Sequence, residues 1–270
     1  MAPNRQARMI TLTAVLLCAH WGAQATTVDL TTAGASGSIG AGLYTQTSQQ
    51  ATGSGVIEPF VRVGAANQNV VQAYNTTVPN TFDQAGGAAF NHEITVGQVG
   101  FYPIGGSNVM RFLLDINQTS ASPLLNLDEV QIFLSTTPNQ STTAFSGALL
   151  ALADSALVYQ MDAGGNSTVT LDYSLNAGSG SGDMTLDVLA SAFDPAFAAL
   201  GLTSDAQKNG AYVYLYSKFG SAPNVNNDGY EEWAYDPPGA ASVAEPSTLA
   251  LIALGLLGFA WVRGRRPSGQ

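Results

Sequence analysis

Between residues 59 and 218 the chain is a succession of short apolar or alternating runs cut by glycine and asparagine turns. That rhythm constrains the fold more than any other feature. Runs suited to strands fall at 59–63, 70–74, 93–99, 109–117, 130–135, 156–161, 168–175, 184–189 and 211–218. Turn signals separate them: Gly86-Gly87, Gly105-Gly106, Gly164-Gly165-Asn166 and the glycine–serine stretch 178–182. Val169, Leu171 and Tyr173 alternate with Thr170, Asp172 and Ser174, the period of a half-buried strand. One short helix is expected at 195–200, with Asp194 as its cap, Pro195 in its first turn and Gly201 as its stop. Strands do not alternate with helices, so a parallel α/β sheet is excluded. The reading is an all-β antiparallel β-sandwich, jelly-roll-like, over residues 26–236. Residues 31–55, rich in Gly, Ser, Thr and Gln, are expected as a loose arm or a sheet edge.

Charge narrows the partners. Only 10% of the 270 residues are charged, and residues 26–245 hold four basic and 19 acidic side chains, a net charge of −15. Such a surface repels phosphate backbones and argues against nucleic-acid binding. It suits cations or neutral partners. The one cysteine, Cys18, lies in the first 25 residues, so residues 26–270 offer no disulfide, thiolate metal site or cysteine nucleophile. Such a domain relies on its core, on a bound metal, or on both.

Both ends are written for export. Arg5 and Arg8 precede an apolar stretch at 10–19, and Ala23-Gln24-Ala25 supplies an A-x-A cleavage site. Residues 1–25 therefore read as a cleaved signal peptide, engaging the Sec translocon and signal peptidase; an uncleaved anchor is the alternative. Asp236-Pro237-Pro238-Gly239 opens a linker through residue 243. Residues 249–262 form one apolar run, short of the ~20 residues a full bilayer span takes, followed by Arg263, Arg265 and Arg266. The arginines hold that end in the cytoplasm and leave the body outside. A short helix with a proline before it and a basic stop after it reads as a temporary membrane anchor.

Glu245-Pro246-Ser247-Thr248, the helix with its Leu254-Gly255 and Leu257-Gly258 steps, and the tail from Arg263 to Arg266 resemble the PEP-CTERM sorting signal of Gram-negative bacteria. Ala244 stands where that signal has its first proline. The resemblance implies recognition by an exosortase, cleavage near Glu245-Pro246, and delivery to the cell surface or an exopolysaccharide matrix. A plain single-span anchor is the alternative. The body loosely resembles the globular region of other proteins with this tail, through 112–117, 127–135, 212–220 and 227–233, and that likeness carries no activity.

Three constellations in the body bear on chemistry. Asn224, Asn226 and Asp228 alternate ahead of Gly229, with Glu231 beyond, which is the opening half of a calcium loop. Tyr235 stands where the closing glutamate belongs. The two readings are a bound calcium and a polar Asn-Asp-Gly turn; no cofactor is required. Tyr212, Tyr214 and Tyr216 share one strand face, which is a stacking platform if exposed, extended by Tyr230, Trp233 and Tyr235, or core if buried. The pairs Asp128-Glu129 and Glu231-Glu232 are adjacent, so on a strand each pair points to opposite faces and makes no acid–base dyad by itself. His92 is the one histidine outside the leader, and no serine is marked as its nucleophile.

The function expected from these residues is a non-enzymatic surface or matrix protein with a structural, adhesive or glycan-binding role. A polysaccharide hydrolase using carboxylates such as Asp115, Asp128 or Glu231 is the alternative. An ice- or surface-binding module ranks third, because no regular Thr-x-Thr ladder is present.

Overall fold

The computed structural model describes residues 25–50, 58–64, 67–178 and 180–235. The expectations at Ala23, at residues 237–243, at Glu245 to Thr248, at 249–262 and at Arg263, Arg265 and Arg266 lie outside the described residues. Strands account for 43% of the structure and helices for 15%, which makes it mostly β.

Two seven-stranded sheets form among the described residues. The first runs β1 (Thr27–Asp29), β13 (Thr168–Asp172), β9 (Leu124–Ser135), β15 (Tyr212–Phe219) and β5 (Val71–Tyr74). Here β12 (Ser155–Gln160) pairs with β9, and β6 (Ile94–Thr95) with β15. The second runs β2 (Ser36–Ile39), β3 (Gly42–Gln50), β14 (Ser181–Leu189), β8 (Ser107–Asp115), β16 (Glu231–Tyr235) and β4 (Pro59–Val63), with β7 (Tyr102–Ile104) on β8. A small hairpin joins β10 (Phe145–Ser146) to β11 (Leu149–Leu150). The pairings within the sheets are antiparallel except β1 with β13, which is parallel.

The sheets meet face to face over one core. Leu125, Leu127, Ile132, Val213, Leu215 and Phe219 of the first sheet pack with Tyr44, Phe60, Phe112, Leu114, Leu186 and Trp233 of the second. Each fully buried side chain of this size contributes roughly 1.5–3 kcal/mol, and no cysteine takes part. Polar contacts also cross the core, Tyr159 OH donating to Ile39 C=O at 3.1 Å among them. The Trp233 indole N–H donates to Ser217 Oγ at 3.0 Å, and the Tyr44 and Tyr159 hydroxyls lie 2.8 Å apart.

Several expected elements shift in the folded chain. Residues 93–99 divide into β6 and a short helix, α1 (Val96–Val99), because Thr95 and Gln98 close a capping box. The helix expected at 195–200 forms as α2 (Asp194–Ala199), with Asp194 in its first turn and Gly201 at φ +68° beyond it. A third helix, α3 (Asp205–Gly210), starts at a second capping box, Ser204 with Gln207. The polar stretch 31–55 supplies β2 and β3. Their ladder is completed by β14, and β2 ends as the sheet edge.

Candidate functional site

The loops at the end of the sandwich where β8 stops and β16 starts hold the densest polar network. Residues 224–231 are hung on two neighbouring segments. From the β4–β5 connection, Asn69 C=O accepts the Asn226 backbone N–H and Gln68 C=O accepts Asn226 Nδ2, each at 2.9 Å. After β8, Gln118 Oε1 accepts the Asn227 N–H at 3.1 Å, the Thr119 N–H donates to Asn227 Oδ1 at 2.8 Å, and Asn117 Nδ2 donates to Tyr230 C=O at 3.1 Å. Gly229 makes the turn at φ +61°, and a Cβ there would sit 2.4 Å from Asn117 Cβ. A side chain is therefore excluded by both backbone and neighbour.

This network decides the fate of the four candidate calcium ligands. Asn224 Nδ2 donates to Asn126 Oδ1 at 2.9 Å, Asn226 is spent on Gln68 and Gln118, and exposed Asp228 accepts its neighbour Gly229 N–H at 2.9 Å. Glu231 points inward, fully buried, where Asn117 N–H and Gln118 Nε2 donate to it at 3.0 Å each. The four form no common shell. Among the described residues no group of three or more His, Asp or Glu is placed to hold a metal ion.

The tyrosine alternation is present, and the exposed platform is not. Tyr212, Tyr214 and Tyr216 share one face of β15 while Val213 and Leu215 enter the main core. That face carries its own lid. Tyr74, Phe133, Leu150 and Leu152 pack on Tyr214 and Tyr216 in a second cluster, with Phe82 and Tyr212 at its margin. The Tyr74 and Tyr214 rings stand edge to face at 6.0 Å, and Phe145 of the hairpin meets Tyr216 the same way at 5.6 Å. Tyr214 OH donates to Thr137 C=O at 3.1 Å and Tyr216 OH to Gln72 Oε1 at 2.6 Å. Trp233 lies in the opposite sheet inside the core. The stacking surface expected of Tyr214, Tyr216 and Trp233 is thus corrected: the lid and the facing sheet cover them. Tyr230, 45% exposed, reaches solvent, as does Phe145 of the hairpin at 40%.

The carboxylates named for hydrolysis are divided between two places. Asp115 and Glu231 are buried together with Asp183 and Glu232 at the β8–β14–β16 end. Asp115 Oδ2 accepts the Gly180 N–H at 2.6 Å and Asp183 Oδ2 the Ile116 N–H at 2.8 Å. The two carboxyl groups lie within hydrogen-bonding reach of each other, and among the described residues neither Oδ1 meets a donor. Burial raises both, to about 7 for Asp115 and about 8 for Asp183, with each other's charge acting in the same direction on Asp183. Two facing carboxyls with no donor between them hold a proton more readily than two charges. Glu231 is also raised well above its ordinary range, first by burial. Asp128 sits elsewhere, with Glu129 and Asp162, in a recess of about 230 Å³ that Lys218 also lines. His92 is half-buried; its backbone N–H donates to Phe60 C=O at 3.0 Å.

Residues 67–69 and 225–230 wall an open cleft of about 770 Å³. Among the described lining residues Asp228 is the one charged group. The signal for it in the sequence was the clustering of Asn67, Gln68 and Asn69 with the 224–228 asparagines. Nothing short of the folded loops could have brought the two runs together.

The model of the PEP-CTERM protein-sorting motif fits residues 242–266. No curated protein and no solved structure matches the chain. The motif marks an exported, cell-surface-sorted protein with an exosortase as its processing partner.

Proposed function

Given a PEP-CTERM sorting motif on residues 242–266, we propose that this chain is a non-catalytic component of the cell envelope or exopolysaccharide matrix of a Gram-negative bacterium. The leader at 1–25 takes it through the Sec translocon and is removed by signal peptidase. Residues 249–262 hold it briefly in the inner membrane until an exosortase cuts near Glu245-Pro246. The β-sandwich then acts outside the cell in a structural, adhesive or glycan-binding role.

The sorting motif is the observation that carries this reading. The burial of Asp115 and Glu231 and the separate position of Asp128 support a non-enzymatic role, since glycoside hydrolysis needs two carboxyl groups facing one substrate bond. The test is fractionation of the native host followed by mass spectrometry of the mature chain. The expected product starts after Ala25, lacks the peptide containing Trp261, and is found at the surface or in the matrix. A surface-located form that retains Trp261 would contradict tail removal.

A further inference from the structure

We propose that the cleft between 67–69 and 225–230 is a binding site for a neutral saccharide. This deepens the matrix reading above and rests on it for the ligand's availability, while the argument for the site is geometric.

The cleft's volume of about 770 Å³ falls within the ~300–1,000 Å³ of small-molecule sites. One wall is fixed before any ligand arrives. Asn226 and Asn227 spend their side chains on Gln68 C=O, Gln118, Thr119 N–H and Ser122 C=O, and so set the loop. The opposite rim presents Asn67, Gln68 and Asn69, exposed and, among the described residues, without side-chain hydrogen bonds. Each amide carries both a donor and an acceptor, which is what a ring of hydroxyl groups requires.

The aromatic member is held in place from behind. A Cβ on Gly64 would stand 2.7 Å from Tyr230 Cδ1, so the tyrosine lies directly on that glycine. The Arg62 guanidinium is 5.2 Å from the Tyr230 ring centroid and 3.4 Å from that of Phe90, and it pairs with Glu232. Nearly half of Tyr230 remains in solvent. A positioned, half-exposed ring beside unspent amides can stack on the apolar face of a sugar while the amides take its hydroxyls.

Charge selects among ligands. No lysine or arginine is found among the described lining residues, and Asp228 contributes a negative charge. A phosphate, sulfate or uronate would meet no counter-charge and a repelling carboxylate. A neutral sugar meets neither problem.

The test uses the full chain in a sugar-free detergent, with cellohexaose, maltohexaose and chitohexaose as probes, by saturation-transfer NMR and calorimetry. At least one is expected to bind. Tyr230→Ala is expected to weaken that binding by about tenfold or more, equivalent to about 1.4 kcal/mol, and Tyr230→Phe to preserve it. Gln68→Ala and Asn69→Ala, at exposed side chains, are expected to weaken it with the melting temperature unchanged. The proposal is overturned if none of the three sugars binds, if an acidic polymer such as alginate binds in their place, or if binding is unchanged in both Tyr230→Ala and Gln68→Ala. Any of these would leave the export reading standing, because that reading is judged by where the chain is found and how it is cut.

Discussion

Trp233 of β16 donates its indole N–H to Ser217 of β15 at 3.0 Å, a hydrogen bond between the inner faces of the two sheets. Both residues are completely buried. The bond satisfies the one polar atom of the largest side chain in the core, so the tryptophan can fill the interior without an unpaired donor.

Trp233→Ala should therefore cost about 3–5 kcal/mol, the range for emptying a large aromatic site. Ser217→Ala leaves the indole N–H stranded and should cost about 1–3 kcal/mol. Denaturant unfolding followed by far-ultraviolet circular dichroism measures both. A Ser217→Ala protein with an unshifted midpoint would mean the contact contributes nothing.

The Asp115–Asp183 pair gives stability a pH dependence. Both groups are raised from 3.8 in the native state, to about 7 and about 8. The native form thus holds protons that the unfolded chain releases. A raised carboxyl stabilises fully below its unfolded pKa, and that contribution is lost as pH rises through the folded one. The melting temperature should fall from about pH 4 to about pH 8, with Asp128, Glu129, Asp162 and Glu231 shifted in the same direction. Asp183→Asn replaces the proton with an amide donor for Asp115 and should make that fall shallower. Equal slopes in the two proteins would remove the pair as the cause.

Glu232 is buried on β16 and faces Arg62 on β4, its cross-strand partner and ion-pair partner. Removing the cation strands a desolvated charge, so Arg62→Ala should cost about 3–5 kcal/mol. The double variant Arg62→Ala/Glu232→Gln should recover part of that loss. A thermodynamic cycle by urea unfolding tests it, and simple additivity would show that the two residues are not coupled.

Gly182 of β14 marks the tightest approach on the outer face of the second sheet. A Cβ there would stand 2.3 Å from Leu113 Cδ1 and 2.7 Å from its Cγ. Gly182→Ala should destabilise by about 1–3 kcal/mol through overpacking. Adding Leu113→Ala should relieve the clash, so the two substitutions together should cost less than their sum. Gly147→Ala, with open space around its would-be Cβ, is the comparison for backbone effects alone. Its φ of +63° is the one source of strain there.

Much of the sandwich was legible in the chain. The run at 59–63 is β4, and those at 109–117, 156–161, 184–189 and 211–218 each overlap one strand. The period of two on β15 correctly separated the tyrosine face from the Val213–Leu215 face. The sorting signal was equally local, because a sorting motif is read by other machinery as a linear string, and the match at 242–266 falls on the residues that carry the resemblance. Side-chain period, turn chemistry and signal strings are all properties of near neighbours.

What only the tertiary structure decided was which faces meet. Alternation says that three tyrosines lie together, but it does not say that Tyr74, Phe133 and the 145–150 hairpin will cover Tyr214 and Tyr216. The spacing of Asn224, Asn226 and Asp228 is that of a calcium loop, yet Asn224 and Asn226 are claimed by segments far off in sequence and Asp228 by its neighbour Gly229. Glu231 and Glu232 read as an adjacent acidic pair, and both are buried in a core strand where Asn117, Gln118 and Arg62 receive them. Local pattern fixes the direction of a side chain relative to its own strand. Its burial depends on the partner across the gap, and long-range pairing alone supplies that partner.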